Sequence, residues 1–283
     1  MSVVARNLLF CEGRENGSLD SPLLSRLLGS HNGWTIVPGG TKEGLVRYAE
    51  GYRARGADET WLVVRDRDFD QEPTPQPTLL PDPRRTKNVV CTWRTSVESY
   101  LLDPRLIHRY WVGGSHGGRA EFRNPEPPEQ VQARIQKASA ELVPYQSLRW
   151  ALAALRQQQP RALRNTWTRG SGWLPPQDEL GWDQGLLRAQ TLVEQAQPQG
   201  LDPGRLQELA ESYRARFEDR AFLESDLPLI WFSPKDIAKQ MQRQDPNLFG
   251  LDAYFSWAVD HVDISSHPDL VQLRERLRSN ASP

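Results

Sequence analysis

The fold class of this chain is decided by the stretch Trp61-Leu62-Val63-Val64-Arg65-Asp66-Arg67-Asp68-Phe69-Asp70, in which an apolar run passes directly into alternating acidic residues. A short continuous apolar run is typical of a strand that is covered on both faces in a parallel sheet. Carboxylates that follow such a strand lie at the carboxyl edge of the sheet, where loops converge and ligands bind. The stretch therefore predicts an α/β fold with an acidic site at the end of this strand.

Comparable apolar runs occur before and after this stretch, at Asn7–Cys11, Trp34–Val37 and Val89–Trp93. Two segments between them have apolar residues spaced at three and four, as in an amphipathic helix. One is opened by Ser21 as N-cap and Pro22 as the first helical residue, and the other extends from a Thr41 cap to Tyr52. Strands that alternate with helices predict a mostly parallel sheet flanked by helices.

The remainder of the chain predicts loops and helices. A proline-rich stretch at 73–83 predicts a loop between the third and fourth strands. The glycine- and proline-rich stretch at 113–128 predicts a hinge, which separates an α/β domain at 1–112 from a mainly α-helical region at 129–283. We expect the helical region to contact substrate or a partner. Its predicted helices lie near 129–142, 145–158, 178–196, 203–224, 234–244, 248–262 and 267–279.

Composition and charge exclude several classes of protein. The chain has 283 residues, of which 38% are hydrophobic and 25% charged, and no run approaches the roughly 18 apolar residues of a membrane span. The formal net charge of -1 excludes a generally basic protein that coats DNA. The first residues lack the pattern of a signal peptide, so we expect a cytoplasmic protein with no membrane partner.

The two cysteines argue against a disulfide or a zinc site. Cys11 and Cys91 each lie inside an apolar strand-like run. A buried strand isolates a thiol from other ligands and from oxidants, and a cytoplasmic compartment keeps it reduced. We therefore expect two buried, reduced thiols.

Acidic residues follow two of the predicted strands. Glu12 follows the first strand, while Asp66 and Asp68 follow the third and are spaced so that an extended chain directs both to one face. Carboxylates that lie close together need a cation, and hard oxygen ligands suit Mg²⁺ or Mn²⁺. The sequence therefore predicts a divalent metal site at Glu12, Asp66 and Asp68, with Asp70 as a further acidic ligand.

Other readings of these carboxylates exist. Acidic residues at strand ends also cap helices or face water. An EF-hand is excluded, because Gln71 and Pro77 stand where the loop needs Gly and Glu. A haloacid-dehalogenase-type phosphatase would carry its Asp-x-Asp pair after the first strand, whereas here the pair follows the third. A nucleotide-sugar transferase remains a conceivable alternative.

Three segments together resemble a known family. They are Phe10-Cys11-Glu12-Gly13, Asp66-Arg67-Asp68-Phe69-Asp70 and Ser96-Val97-Glu98-Ser99-Tyr100-Leu101-Leu102. In order and spacing they resemble the TOPRIM domain over about the first 110 residues. Within that superfamily the chain is similar to the nucleases of bacterial antiphage defence that are related to the overcoming-lysogenization-defect nucleases.

The resemblance implies a function and a set of site residues. Glu12, Asp66 and Asp68 would be the metal and catalytic carboxylates of a Mg²⁺-dependent endonuclease that cleaves DNA or RNA. An ATPase or another defence-system protein would be a partner. Relatives usually carry an acidic residue about four positions after the first glutamate, where this chain has Asn16. Asp20 is either the shifted equivalent or a helix cap.

Glu98 and Lys42 have two interpretations each. Glu98 is an accessory acid or the last member of a capping box that begins at Thr95. Lys42 follows Pro38-Gly39-Gly40-Thr41 at the start of a helix, so it either contacts the scissile phosphate or is an ordinary surface lysine. The same loop lacks the Gly-Lys-Ser/Thr of a P-loop, and we expect no intrinsic ATPase activity.

Two basic groups are candidates for nucleic-acid contact or for solvated surface. In the second group cations and aromatic residues alternate, as on surfaces that stack single strands. The first group is Arg84, Arg85 and Lys87, and the second is Arg161, Arg164, Trp167, Arg169 and Trp173.

Three functions remain open at the level of sequence. The preferred one is a Mg²⁺-dependent TOPRIM-type nuclease. The main alternative is a non-catalytic or partner-activated TOPRIM-like sensor or binding subunit, whose acidic pocket is completed only in a complex. A metal-dependent nucleotidyl or phosphoryl transferase ranks third.

Overall fold

The computed structural model describes residues 7–13, 18–29, 33–54, 60–82, 87–113, 125–158, 163, 174–196, 201–246, 248 and 250–279. The chain forms two compact units. The sheet unit comprises Met1–Arg67, Pro73–Leu106 and Leu251–Pro283, and the helical unit comprises Asp68–Glu72 and Ile107–Gly250.

The sheet unit contains a five-stranded, mostly parallel sheet. The strands are β1 (Asn7–Cys11), β2 (Trp34–Pro38), β3 (Trp61–Arg65), β4 (Leu80–Pro81) and β5 (Val89–Cys91). Their order in the sheet is β2-β1-β3-β5-β4. β1 pairs in parallel with β2 and β3, and β3 pairs in parallel with β5, whereas β4 pairs antiparallel with β5. The predicted α/β class is therefore confirmed.

Helices flank this sheet because its strands have apolar side chains on both faces. All five residues of β3 are buried. Leu8 and Phe10 of β1 pack in one cluster with Leu45 and Ala49 of a neighbouring helix, as alternate side chains on one face of a strand should. The helices of the sheet unit are α1 (Asp20–Leu28), α2 (Lys42–Arg53), α3 (Glu98–Leu101), α11 (Leu251–His261) and α12 (Pro268–Ser279). The division between the two units falls within α4 (Pro104–Val112).

Two details of the N-terminal half differ from the sequence prediction. Helix α1 begins at Asp20 with Leu19 as its N-cap, so Ser21 and Pro22 lie inside the first turn. Proline is tolerated there, because the first turn has no main-chain acceptor for its missing N–H. The proline-rich loop contains the two-residue strand β4, which lies at the edge of the sheet, where a proline is acceptable.

The last two helices belong to the sheet unit, whereas the sequence boundaries assign them to the helical region. The indole Nε1 of Trp34 in β2 donates to the carbonyl of Leu277 at 2.7 Å. A guanidinium nitrogen of Arg26 donates to the carbonyl of Val259 at 2.6 Å. These contacts join residues more than 230 positions apart, and a local periodicity cannot predict them.

A partly buried histidine beside α12 makes the stability of this unit depend on pH. The ring of His267 lies edge-on to Tyr100, with ring centroids 5.1 Å apart. Burial and, to a smaller extent, the positive charge of Arg94 lower the pKa of His267 from 6.5 to about 4, although Asp263 partly opposes the shift. The imidazole is therefore neutral in the folded protein at pH 7.

We expect the free energy of unfolding to fall as the pH drops from about 6.5 to about 4. In that pH range the unfolded chain binds a proton at His267 and the folded chain does not. The free energy of unfolding therefore decreases by up to about 3 kcal/mol. Urea unfolding at several pH values measures this loss, and His267→Asn should reduce it. An identical pH dependence in the wild type and the variant would contradict the assignment.

The helical unit confirms the predicted mainly α-helical region. A 3-10 helix at Gln177–Leu180 precedes the helix Trp182–Gln195. The short helix Leu227–Trp231 was not predicted. Residues 114–124 of the predicted hinge lie outside the described residues. The α-helices that belong to this unit are α5 (Pro128–Gln158), α6 (Trp182–Gln195), α7 (Pro203–Phe217), α8 (Arg220–Leu223), α9 (Leu227–Trp231) and α10 (Pro234–Gln244).

One helix spans the predicted break at 143–144. Helix α5 runs through Pro144 without ending, although an interior proline costs about 3 kcal/mol in helix stability. Every residue from Tyr145 to Ala153 is buried. Burial of this second half offsets the lost hydrogen bond and keeps the helix continuous.

Within the described residues, no helix is both long enough and apolar enough to cross a membrane.

Candidate metal and phosphate site

The loops that follow β1 and β2 are joined by main-chain hydrogen bonds. The amides of Gly13 and Gly40 each donate to the carbonyl of the other, at 2.8 and 2.9 Å. Both glycines have positive φ, +93° and +82°, which other residues rarely adopt. A Cβ on Gly13 would lie 2.2 Å from the Cβ of Ser18. Glycine at position 13 therefore allows Ser18 to approach the loop closely, and its positive φ suits the bonds to Gly40.

Glu12 and Asp66 are neighbours at the carboxyl edge of the sheet. β1 lies between β2 and β3 in the sheet. The connection after β1 therefore leads to one side, toward β2, and the connection after β3 leads to the other side, toward β5. Ligands of open α/β sheets bind at such a switch point. The backbone N–H of Asp66 donates to Oε1 of Glu12 at 3.2 Å. Both side chains are partly exposed. The structure thus brings together two of the predicted ligands.

A third strand end contributes to the position of Asp66. Oδ1 of Asp66 accepts a hydrogen bond from the backbone N–H of Val97 at 3.1 Å, in the segment that follows β5. The next residue, Arg67, is fully buried. Its Nε donates to the carbonyl of Trp93 at 3.0 Å. These bonds hold the Asp66 carboxylate at the edge of the sheet.

Lys42 extends from α2 toward the same loop. It is the first residue of that helix, and its Nζ donates to the carbonyl of Arg67 at 3.3 Å. Thr41 precedes it as the N-cap, as the sequence predicts. An ammonium group therefore lies beside the chain that carries Asp66. Amides at a helix N-terminus and a lysine are both suited to a phosphate group.

Asp68 and Asp70 belong to the helical unit. Asp68 has a positive φ of 48°, the only such value among the described non-glycine residues. The carboxylate of Asp70 forms an ion pair with Arg156 at 2.9 Å, and Gln157 donates to the Asp70 carbonyl at 2.6 Å. Asp70 is thus engaged by a cation of its own unit, and its predicted role as a metal ligand stays a prediction.

The donor set of Glu12 and Asp66 fits a hard divalent cation. Among the described residues, no group of three or more His, Cys, Asp or Glu side chains is arranged to hold a metal ion. Mg²⁺ does not require such a cage, since proteins commonly bind it through one or two carboxylates, with water and substrate phosphate as the other ligands. Glu12 and Asp66 supply carboxylates at the ends of two neighbouring strands, and Lys42 bonds to the carbonyl that follows Asp66, which is compatible with that mode of binding.

The two accessory acids have local partners. Asp20 begins α1 and accepts a hydrogen bond from Oγ of Ser18 at 2.7 Å, and the same hydroxyl lies 3.2 Å from the carbonyl of Glu12. Glu98 is buried and accepts from Oγ of Ser96 at 2.7 Å. The predicted capping box at Thr95 is wrong, because α3 begins at Glu98 itself, which places this glutamate too early to be the third helical residue.

Both cysteines are free and buried, as predicted. Burial, with smaller contributions from the nearby carboxylates of Asp20 and Glu12, raises the pKa of the Cys11 thiol to about 12.

We expect the native protein to resist thiol reagents. At pH 8, only about one Cys11 side chain in 10⁴ would be a thiolate, and the thiolate is the reactive form. Titration with a disulfide reagent should detect two thiols after unfolding and essentially none before it. A Cys91→Ala variant isolates Cys11, and rapid labelling of that folded variant would contradict the burial.

Most of the predicted basic residues lie outside the described residues. Of the first group, Lys87 is described and exposed, and its carbonyl accepts a hydrogen bond from Arg276 at 2.6 Å. The basic residues that are not described are Arg84, Arg85, Arg161, Arg164 and Arg169.

The local sequence did not indicate two residues, Thr92 and Asp269, that accept hydrogen bonds from the main chain of Arg67 and Trp93. Thr92 accepts from the backbone N–H of Arg67 at 3.3 Å, and Asp269 accepts from that of Trp93 at 3.1 Å. The first turn of a helix after Pro268 is a common place for an acidic residue, so Asp269 could be read as a helix-capping charge. Nothing in the local sequence connects it with Trp93.

No protein-family model matches the chain, and comparison with curated proteins finds no similar sequence. Its function is therefore inferred from the chemistry of the site.

Proposed function

We propose that the chain is a Mg²⁺- or Mn²⁺-dependent nuclease that hydrolyses phosphodiester bonds of nucleic acid at the carboxyl edge of its sheet. One observation carries the proposal: Glu12 and Asp66 lie side by side at the switch point, with Lys42 reaching the same loop. The resemblance of the segments that contain Glu12 and Asp66 to the TOPRIM domain supports it. A role in antiphage defence is part of the same proposal.

The residues of the site have separate tasks in such a reaction. Glu12 and Asp66 would hold the cation. A bound divalent ion supplies an activated water and offsets charge on the phosphoryl oxygens. Lys42 would contact a phosphate oxygen and offset the charge that develops there. Glu12 could instead accept the proton of the attacking water, since it lies at the same edge of the sheet.

The proposed site has few protein ligands, so water and substrate would supply the other ligands of the metal. Two carboxylates leave several positions of an octahedral ion for water and phosphate oxygens. Metal affinity should therefore be weak without nucleic acid and stronger with it. The role of Asp68 as a metal ligand stays a prediction from the sequence.

Purified protein tests the proposal directly. It is incubated with single-stranded DNA, double-stranded DNA and RNA, each in Mg²⁺, Mn²⁺ or EDTA. We expect cleavage of at least one substrate with a metal and none in EDTA. Cleavage that persists in EDTA would overturn the metal-dependent mechanism.

A second candidate function is a partner-activated subunit of a defence system. The ion pair of Asp70 with Arg156 favours it, because a carboxylate held by a cation of its own unit has reduced affinity for a metal. Such a subunit would bind Mn²⁺ but cleave nucleic acid only after a partner, for example an ATPase, is added. Absence of cleavage by a protein that binds Mn²⁺ would favour this candidate over the free-standing nuclease.

A further inference from the structure

A buried carboxylate lies behind the candidate metal site, in the first turn of α12. The Asp269 side chain is 1% exposed. Its Oδ2 accepts from the backbone N–H of Trp93 at 3.1 Å and from the hydroxyl of Tyr100. A buried charge requires such donors, and the N-terminus of a helix further stabilises a negative charge. Asp269 is therefore a fixed anchor for the chain around Trp93.

The anchored segment is the β5–α3 loop, residues 92–97, which contacts Asp66 and Arg67 at three points. Oγ1 of Thr92 accepts from the backbone N–H of Arg67 at 3.3 Å. The carbonyl of Trp93 accepts from Nε of Arg67 at 3.0 Å. The backbone N–H of Val97 donates to Oδ1 of Asp66 at 3.1 Å. The loop thus sets the orientation of the Asp66 carboxylate.

Tyr100 links Asp269 to the same loop a second time. Its hydroxyl accepts from the backbone N–H of Arg94 at 3.3 Å while donating to Asp269. Burial and the Asp269 carboxylate raise the pKa of Tyr100 well above its ordinary value. The hydroxyl consequently keeps its proton and remains a donor throughout the ordinary pH range.

We propose that Asp269 is a positioning residue for the metal site, acting through Trp93, Tyr100 and the β5–α3 loop to orient Asp66. The inference rests on the proposed function, because it assigns a partner to one of the carboxylates that hold the metal. Asp269 itself would not touch the metal or the substrate. Its contribution is to restrict the Asp66 carboxylate to one orientation before the metal arrives.

Loss of this support should weaken metal binding. Groups that orient metal ligands typically contribute 10- to 100-fold in metal affinity or activity. Because Asp269 acts through a loop, we expect the lower value, about 10-fold, for Asp269→Ala. Tyr100→Phe removes one of the two hydrogen bonds and should give a smaller change in the same direction.

The experiment measures two properties of the full chain that do not depend on cleavage. Electron paramagnetic resonance of free Mn²⁺ gives the Kd for the metal, and hydrogen exchange gives the protection of the Val97 amide. Both are measured for the wild type, Asp269→Ala and Tyr100→Phe. The control is Trp34→Phe, which removes the buried hydrogen bond to Leu277 near the other end of α12 and leaves the loop intact.

The proposal expects weaker Mn²⁺ binding and faster exchange at Val97 in the two test variants, with both properties unchanged in Trp34→Phe. Asp269→Asn should recover much of the wild-type behaviour, because its amide oxygen can still accept from Trp93 and Tyr100. If Asp269→Ala does not fold, Tyr100→Phe alone decides. Wild-type Kd and Val97 protection in a folded test variant would overturn the proposal, as would equal changes in Trp34→Phe.

Failure of the proposed function gives a different result. A wild-type protein that binds no Mn²⁺ would contradict the metal site and, with it, the role of Asp269 in metal binding. The Val97 exchange would still show whether Asp269 holds the loop. The two failures are therefore distinguishable.

Discussion

Asp66→Asn should abolish metal-dependent cleavage and leave the fold intact. The asparagine oxygen can still accept the hydrogen bond from Val97, so the loop keeps its position while the negative charge is lost. A metal contributes several kcal/mol to stabilisation of phosphoryl charge, so its loss corresponds to a decrease of about 10³-fold or more in rate. Steady-state assays with Mg²⁺ measure the cleavage rate, and circular dichroism measures whether the variant keeps its fold.

Glu12→Gln should also abolish metal-dependent cleavage, because it removes a negative charge from the site. The fold should stay intact, because the amide oxygen of the glutamine can still accept from the N–H of Asp66. The matched controls are Asp260→Asn and Glu275→Gln, which remove one exposed charge each from the sheet unit. We expect wild-type cleavage in both controls. Cleavage that survives Asp66→Asn would indicate a contaminant or a different site.

Asp236→Ala should cause the largest loss of stability. The Asp236 carboxylate accepts from Arg149 in a fully buried ion pair and from Gln146 at 2.7 Å. The guanidinium of Arg149 also lies 4.2 Å from the centroid of the Phe69 ring. Removal of the carboxylate leaves a buried charge without its counter-ion, which typically costs about 3–5 kcal/mol. Denaturant unfolding of the variant measures this loss.

Two comparison variants separate the buried charge from simple packing. Arg149→Met combined with Asp236→Leu removes both charges, and such replacements are often neutral or stabilising. Glu218→Ala removes an exposed ion pair with Arg214 and should change the free energy of unfolding by less than about 1 kcal/mol. A loss below about 1 kcal/mol in Asp236→Ala would contradict the assignment.

The sheet could be predicted because its elements are local. The runs at Asn7–Cys11 and Trp61–Val64 are almost entirely apolar, and each was predicted as a strand and lies in one in the structure. The edge strand Leu80–Pro81 could not be predicted, since two residues carry no periodicity. The break expected at Pro144 was wrong, because a local penalty for proline was outweighed by burial along α5.

The candidate site could be predicted only in part. Glu12 and Asp66 follow adjacent parallel strands, and the carboxyl ends of such strands meet at one edge of a sheet. Lys42 was predicted as a phosphate contact or a surface lysine, and its bond to the Arg67 carbonyl depends on the position of α2. Asp269 carried no local signal at all, because its partner Trp93 is 176 residues away.

The sequence by itself determined the α/β class, the mainly helical region and the acidic residues at the strand ends, because hydrophobic periodicity and the succession of elements along the chain can be read from local segments. Only the tertiary structure decided that α11 and α12 belong to the sheet unit and that Asp68–Glu72 belongs to the helical unit. It also decided which main-chain and side-chain donors the buried Asp269 carboxylate contacts. Contacts such as Asp269 with Trp93 depend on packing between distant segments, and local periodicity contains no information about that packing.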